Sequence, residues 1–287
     1  MIEKYSKLVM LSHTIFALPF ALVGYTLALT STETPFTYTT LIQVVLCMLF
    51  ARNTAMGFNR WADRDIDGAN PRTASREIPA GKISPRAALT FVVLNAALFV
   101  ATSATINTLT ALLSPVALIV VMGYSYCKRF TSLAHIVLGL SLAIAPVGAY
   151  IAVCGEFALP PCILALVVLS WCAGFDIIYA LQDSEFDRQR GLHSIPSKFT
   201  AKGALAISIA LHLVTAAALV IFTIELEGAA PWRWVGVGIF LALLAAQHIL
   251  VTPSRQRNIG IAFGTLNGIA SLILALFTIA ALVFPHK

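Results

Sequence analysis

Charge is what this chain has little of. Only 11% of its 287 residues are Asp, Glu, Lys or Arg, while 59% are hydrophobic. An ordinary soluble domain carries about 25% charged residues. A water-soluble fold with this composition would leave a large apolar area in water, so that class is set aside. Cysteine is sparse as well. Cys47, Cys127, Cys154, Cys162 and Cys172 form no Cys-x-x-Cys pair, and most fall in apolar stretches. They read as small packing residues, with neither a disulfide framework nor a thiolate metal site. The six histidines contain no His-Glu-x-x-His and no His-x-His. The net charge of +6 sits in short loops, which sets nucleic-acid binding aside.

What the chain has is long apolar runs. Nine are present, at 13–30, 41–58, 87–106, 109–126, 133–153, 159–182, 203–224, 232–251 and 259–284. Each approaches the ~20 residues that cross a hydrocarbon core as helix. The first run has no small-residue cleavage site after it and reads as a retained span. The expected fold is therefore all-α: nine transmembrane helices in a bundle around a central cavity.

The scarce charges are unevenly placed. With the connections numbered in order, the amino terminus and the even connections hold Lys4, Lys7, Arg60, Arg64, Arg72, Arg76, Lys82, Arg86, Lys128, Arg129, Arg188, Arg190, Lys198, Lys202, Arg255 and Arg257. Those are sixteen of the nineteen basic residues; Arg233 lies in an odd connection, Lys287 ends the chain and Arg52 lies within the second run. The positive-inside rule puts the amino terminus and even connections in the cytoplasm and the carboxyl terminus on the opposite side. A bacterial inner membrane is the expected location.

Two acidic rows break this basic pattern. The second run leads into Asn59-Arg-Trp-Ala-Asp63-Arg-Asp-Ile-Asp67. Asn59, Asp63 and Asp67 are spaced i, i+4, i+8 and share one helix face. The sixth run leads into Asp176-Ile-Ile-Tyr179-Ala-Leu-Gln-Asp183-Ser-Glu-Phe-Asp187, whose Asp176, Tyr179, Asp183 and Asp187 again share a face. Carboxylates four apart repel unless a cation offsets them. Ionisable residues at membrane helix ends point to function, and an all-oxygen donor set suits Mg²⁺ shared with substrate phosphates. Arg72, Arg76, Lys128, Arg129, Arg188, Arg190 and Lys198 follow the motifs, and guanidinium and ammonium groups suit diphosphate oxygens. Asp65 and Glu185 lie off the motif faces and read as surface acids.

Each row ends an even span and is followed by a polar loop with a proline, Ile78-Pro79-Ala-Gly81-Lys82 and Ser194-Ile195-Pro196-Ser-Lys198. This suggests a pseudo-repeat within a single membrane domain of 1–287, with helices 1–4 (13–126) matched to helices 5–8 (133–251) and a ninth helix (259–284) added. Such proteins often place their site between the repeats. Gly260, Gly264 and Gly268 recur every four residues and read as a close-packing face. Pro19 and Pro146 read as tolerated kinks.

These motifs resemble the UbiA superfamily of intramembrane aromatic prenyltransferases, nearly end to end. The first row with Arg72-Thr-Ala-Ser-Arg76 and Pro79-Ala-Gly81 looks like the family's Asn-Asp-x-x-Asp-x-x-x-Asp signature, the second like its Asp-x-x-Tyr-Ala-x-x-Asp-x-x-x-Asp signature, and Tyr124-x-x-x-Lys128-Arg129 like a third element. One departure is visible: the family's Asn-Asp pair is Asn59-Arg60 here, with Arg60 expected off the ligand face.

The resemblance implies Mg²⁺ as cofactor, held by Asn59, Asp63 and Asp67 and by Asp183 and Asp187. It implies Arg72, Arg76 and Lys128 on the diphosphate, Tyr124, Tyr179 and Asp176 lining the reaction centre, and Arg129 for an acceptor carboxylate. The catalytic set is then Asp63, Asp67, Asp183, Asp187, Tyr124 and Tyr179. Within the superfamily the chain looks most like 4-hydroxybenzoate polyprenyltransferases. Ser12-His13-Thr-Ile-Phe-Ala-Leu-Pro19-Phe and Gly191-Leu-His193-Ser-Ile-Pro196 resemble a subgroup of menaquinone synthesis through futalosine. That subgroup implies a dihydroxynaphthoate acceptor, with His193 on the acceptor side; a lone loop histidine is otherwise structural.

The implied partners are a polyprenyl diphosphate, a small aromatic acid and the lipid bilayer. The implied activity is Mg-dependent polyprenyl transfer in respiratory quinone synthesis. Transfer to a haem or chlorophyll precursor, and ion-coupled transport, are the alternatives. Oligomeric state is left open.

Overall fold

Thr37, Ser84, Asn107 and Thr200 each accept a hydrogen bond from a backbone N–H three residues on, and each starts a long helix. Polar caps of this kind satisfy helix-end donors, and here they mark where apolar runs begin. The computed structural model describes residues 2–9 and 16–285. In order the helices are α1 (Ile2–Leu8), α2 (Leu18–Ser31), α3 (Tyr38–Ala62), α4 (Arg64–Ala69), α5 (Pro85–Ala104), α6 (Thr108–Cys127), α7 (Ala134–Cys154), α8 (Leu159–Ala180), α9 (Ser184–Gln189), α10 (Ile195–Lys198), α11 (Ala201–Glu225), α12 (Arg233–Leu250) and α13 (Asn267–Val283). A 3₁₀ turn spans Leu181–Asp183 and a π-helical turn spans Ile261–Leu266. No β-strand occurs among the described residues; Thr252 and Arg255 form an isolated bridge.

Eight helices among the described residues are long and apolar enough to cross a membrane, and α2 is a shorter ninth apolar helix of 14 residues. The protein is an integral membrane protein. The first run therefore forms a shorter helix than expected, beginning at Leu18; residues 12–15, the first four of the Ser12-His13 phrase, lie outside the described residues. Pro19 stands in the first turn of α2 and starts that helix instead of kinking it, because a proline there removes no internal hydrogen bond. Pro146 does lie inside α7, and so does Pro115 inside α6.

The helices close into a ring. α3, α5 and α6 form one group, and α8, α11, α12 and α13 form another. α7 joins them through extensive contacts with α8 and α6, and α2 packs on α7 and α13. The α2–α7 contact needs a glycine: a Cβ on Gly24 would sit 2.1 Å from the Pro146 carbonyl oxygen. The main core, including Phe20, Val168, Trp171, Leu219, Phe222 and Phe240, lies in the second group and against α2. α2 and α3 touch only lightly. Between α3, α6 and α7 an apolar cavity of about 440 Å³ opens, running from Arg52 and Tyr124 past Ala51, Ala117 and Ile144 toward Ile106 and Ile151.

The glycine stripe of the ninth run does not pack as expected. Gly260 and Gly264 meet no atom within 4 Å of where a Cβ would stand. Those two positions face open space, and Gly264 lies inside the π-helical turn.

Candidate functional site

α3 ends where the first acidic row begins. Asp63 closes α3 and opens α4 with φ −94° and ψ 6°. The i→i+4 register survives this break: the Asp63 N–H donates to the Asn59 carbonyl at 2.9 Å and the Asp67 N–H to the Asp63 carbonyl at 2.7 Å. Asp63 and Asp67 are thus stacked, and both are buried, at 2% and 3% exposure.

Buried carboxylates need partners, and other elements supply them. Lys128 Nζ from the end of α6 lies 2.6 Å from Asp63 Oδ2, and the Arg129 guanidinium lies 3.1 Å from Asp63 Oδ1. Asn59 Nδ2 donates to Asp63 Oδ2 at 3.2 Å. Arg76 Nη1, from the loop after α4, donates to Asp67 Oδ1 at 2.6 Å. Arg60 is buried and 4.0 Å from Asp67 Oδ2. It points into the site, not away from it, because Arg60 and Asp67 are seven residues apart and the helical register that runs through Asp63 keeps them on one face.

The second row ends less regularly. The 3₁₀ turn Leu181–Asp183 tightens the end of α8 before α9. Asp183 is held from across the site: Asn70 Nδ2 donates to Oδ1 at 2.9 Å, Arg72 Nε donates to Oδ1 at 2.8 Å, and Arg72 Nη2 closes the fork on Oδ2. Arg72 Nη1 also donates to the Tyr179 hydroxyl at 3.1 Å. Burial pulls the Arg72 guanidinium down, but its hydrogen bond to Asp183 and the nearby Tyr179 outweigh that and hold it above its ordinary value. Asp187 takes a hydrogen bond from Ser194 and lies within electrostatic reach of Lys128. The loop 70–76 therefore bridges the two acidic rows, with Arg76 on the first and Arg72 on the second.

Asp176 lies one turn before Tyr179, and His135 Nδ1 is 2.7 Å from its Oδ2. The Ile195 N–H donates to His135 Nε2 at 3.3 Å. A nitrogen that accepts cannot carry the proton of a neutral ring, so Nδ1 carries it and donates to Asp176. Tyr124 stands at the end of the apolar cavity nearest the site. Arg129 donates to the carbonyls of Ser125 at 2.8 Å and Ala62 at 2.7 Å as well as pairing with Asp63. His193 stands apart, exposed, in a second cavity with Arg188, Lys198 and Phe130; its backbone N–H donates to the Lys128 carbonyl at 2.7 Å. Asp65 and Glu185 are surface acids, with side chains 86% and 68% exposed.

Three side chains of the site were not singled out by the sequence: Arg52, Arg60 and His135. The signal for Arg52 and His135 was a polar residue set in an apolar helix, and Arg52 lines the cavity beside Tyr124. For Arg60 the signal was the departure from the Asn-Asp pair.

Among the described residues no three His, Cys, Asp or Glu side chains converge into a metal cluster. The donor chemistry still suits a hard cation: Asp63 Oδ1 and Asp67 Oδ2 are buried and accept no hydrogen bond. Such oxygens are costly unless something positive is nearby. An ion sharing these carboxylates with phosphate oxygens matches how Mg²⁺ is bound.

The arrangement is paired acids and cations beside an apolar cavity in a helical ring. The UbiA prenyltransferase family matches residues 17–278 of the chain. The chain belongs to this family. As a UbiA protein it is an enzyme, a transferase of the aromatic prenyltransferase type. It is 32% identical to a 4-hydroxybenzoate octaprenyltransferase of Photobacterium profundum over 194 residues, 68% of this chain and 67% of the relative. It is 31% identical to the protein of that name from Aeromonas salmonicida, over 76% of this chain and 75% of the relative. Among solved structures, a UbiA homologue from Aeropyrum pernix K1 superposes with a TM-score of 0.79 at 32% identity, covering 94% and 97% of the two chains. A UbiA homologue from Archaeoglobus fulgidus, solved with GPP and Mg²⁺, superposes at 0.75 with 20% identity over 98% of this chain and all of the other. The latter likeness concerns the fold.

Proposed function

We propose that this UbiA protein transfers a polyprenyl group from a polyprenyl diphosphate to a small aromatic acid, with Mg²⁺, in respiratory quinone synthesis. The acceptor is 4-hydroxybenzoate or 1,4-dihydroxy-6-naphthoate. One observation carries the reading: the apolar cavity of about 440 Å³ ends at Tyr124 and Arg52, beside the buried Asp63–Lys128 and Asp67–Arg76 pairs. A molecule with a long apolar tail and a diphosphate head matches both halves.

The prenyl tail occupies the cavity and the head meets the basic side chains. Arg72, Arg76 and Lys128 turn from carboxylates to diphosphate oxygens. Mg²⁺, when bound by Asn59, Asp63, Asp67, Asp183 and Asp187, supplies Lewis-acid stabilisation of the leaving diphosphate. The bond between the allylic carbon and the diphosphate oxygen breaks, and its electrons leave with the diphosphate. Tyr124 and Tyr179 shield the allylic cation from water and steady it with their ring faces. The ring carbon ortho to the acceptor hydroxyl attacks and forms the carbon–carbon bond. Asp176, oriented by His135 Nδ1–H, is positioned to take the ring proton.

Arg129 is engaged by Asp63 and two carbonyls. Arg52 lines the apolar cavity beside Tyr124, which makes it a second candidate, with Arg129, for an acceptor carboxylate. His193, exposed in a separate cavity, does not suit the acceptor role.

The basic end of the bundle and the amino terminus face the cytoplasm, in a bacterial inner membrane, because the sixteen basic residues of the amino terminus and the even connections would otherwise have to be translocated. The two halves, 13–126 and 133–251, are read as copies of one design; α3 packs closely on α5 as α8 does on α11.

The deciding assay offers both aromatic acids side by side to the purified protein with a radiolabelled polyprenyl diphosphate. Transfer to one of them, abolished by EDTA, is expected. No transfer to either, or full transfer in EDTA, would overturn the proposal.

A further inference from the structure

Deep in the bundle, Asn267 is fully buried at the junction of the π-helical turn and α13. Its side chain is engaged at both ends. Asn267 Oδ1 accepts from Trp171 Nε1 at 3.0 Å and from Gln247 Nε2 at 2.7 Å. Asn267 Nδ2 donates to the carbonyls of Ala262 at 3.1 Å and Phe263 at 3.0 Å. The indole N–H only donates, so the orientation of the Asn267 amide is determined.

Those two carbonyls belong to the π-helical turn. A π turn carries an extra residue and disrupts the ordinary i→i+4 ladder. In hydrocarbon a change of ladder register cannot be compensated by water. Asn267 adds two side-chain donors to carbonyls of the turn, and through Trp171 and Gln247 it ties the turn to α8 and α12.

The turn carries Phe263. Its ring lies 4.2 Å from that of Tyr179, tilted 33°, and makes edge contacts with Phe175 and Phe16 at 5.5 and 5.4 Å. Tyr179 in turn accepts from Arg72, which holds Asp183. Trp171, Phe175 and Tyr179 recur every four residues along α8, so the Asn267 contact and the Arg72 contact lie on one helix, just before the 3₁₀ turn that carries Asp183.

We propose that Asn267 and Phe263 are positioning residues: the amide of Asn267 holds the π turn, and the turn seats Phe263 under Tyr179 so that Arg72 stands at the diphosphate site. Neither residue touches substrate. The inference rests on the diphosphate reading given above.

The test measures binding of inorganic pyrophosphate in the presence of Mg²⁺ to the purified full-length protein, by calorimetry, alongside thermal melting. Phe263→Leu keeps the apolar bulk and removes the ring face. It should weaken pyrophosphate binding by about 5- to 20-fold with little change in melting temperature. Tyr179→Phe removes the hydroxyl that meets Arg72. Combined with Phe263→Leu, it should weaken binding no more than the worse single variant, because both act through one contact. Asn267→Ser should lower the melting temperature and show a similar loss of affinity in the folded fraction. Unchanged affinity in Phe263→Leu, or additive losses in the double variant, would overturn the proposal while leaving the diphosphate reading intact. No pyrophosphate binding by the unaltered protein would overturn both.

Discussion

Asp63 and Asp67 are 2% and 3% exposed, whereas the Asp183 side chain keeps 18% of its surface in solvent. The first two are faced by cations from α6 and from the loop after α4. The third is held by Asn70 and Arg72 of that same loop, reaching across the site. One acidic corner is thus embedded in the bundle, and the other is clasped from outside. An ion pair gains strength as water leaves, and a lone buried charge becomes costly. The buried corner cannot lose a partner cheaply. The clasped corner is partly solvated, so exchanging its Arg72 contact costs less, which suits the proposed diphosphate site.

The largest test of this contrast is Asp63→Ala. It leaves Lys128 and Arg129 facing each other without their shared carboxylate. Prenyl transfer is expected to fall by at least ~10³-fold and the melting temperature to drop clearly. Asp183→Asn should come next. Transfer falls by about 10²-fold, but melting changes little, because the corner is partly solvated. Equal loss of melting temperature in the two variants would break the comparison. The smallest effect is expected for Arg72→Lys. A single ammonium cannot span both Asp183 oxygens and the Tyr179 hydroxyl. The KM for prenyl diphosphate should rise about 10-fold with kcat less affected; an unchanged KM would place Arg72 outside diphosphate binding.

The legible parts of the molecule were those set by short-range patterns. Apolar length gave eight of the spanning helices within a few residues, because hydrocarbon imposes a helix and a length. Charge scarcity made the acidic rows conspicuous, and spacing by four put Asn59, Asp63 and Asp67 on one face, a register that survives even where α3 breaks. The same pattern separated Asp65 and Glu185 as surface acids.

Other features depended on contacts between distant residues. That Arg60 faces Asp67 depended on the helical register continuing past the end of α3 at Ala62. Spacing by four in the ninth run could not tell that Gly260 and Gly264 have no neighbour to pack against, since that depends on which helices lie opposite them. Pro19 reads as a kink or a start depending only on where the helix begins.

The sequence by itself determined that this is a helical membrane protein with two acidic rows, because hydropathy and helical period are local properties. The tertiary structure decided which cation faces which carboxylate, that loop 70–76 joins the two rows, and that Asn267 supports the π turn beneath Tyr179. Those are pairings between residues up to 113 positions apart. Burial and ring closure of the bundle select them, and no window of sequence contains both partners.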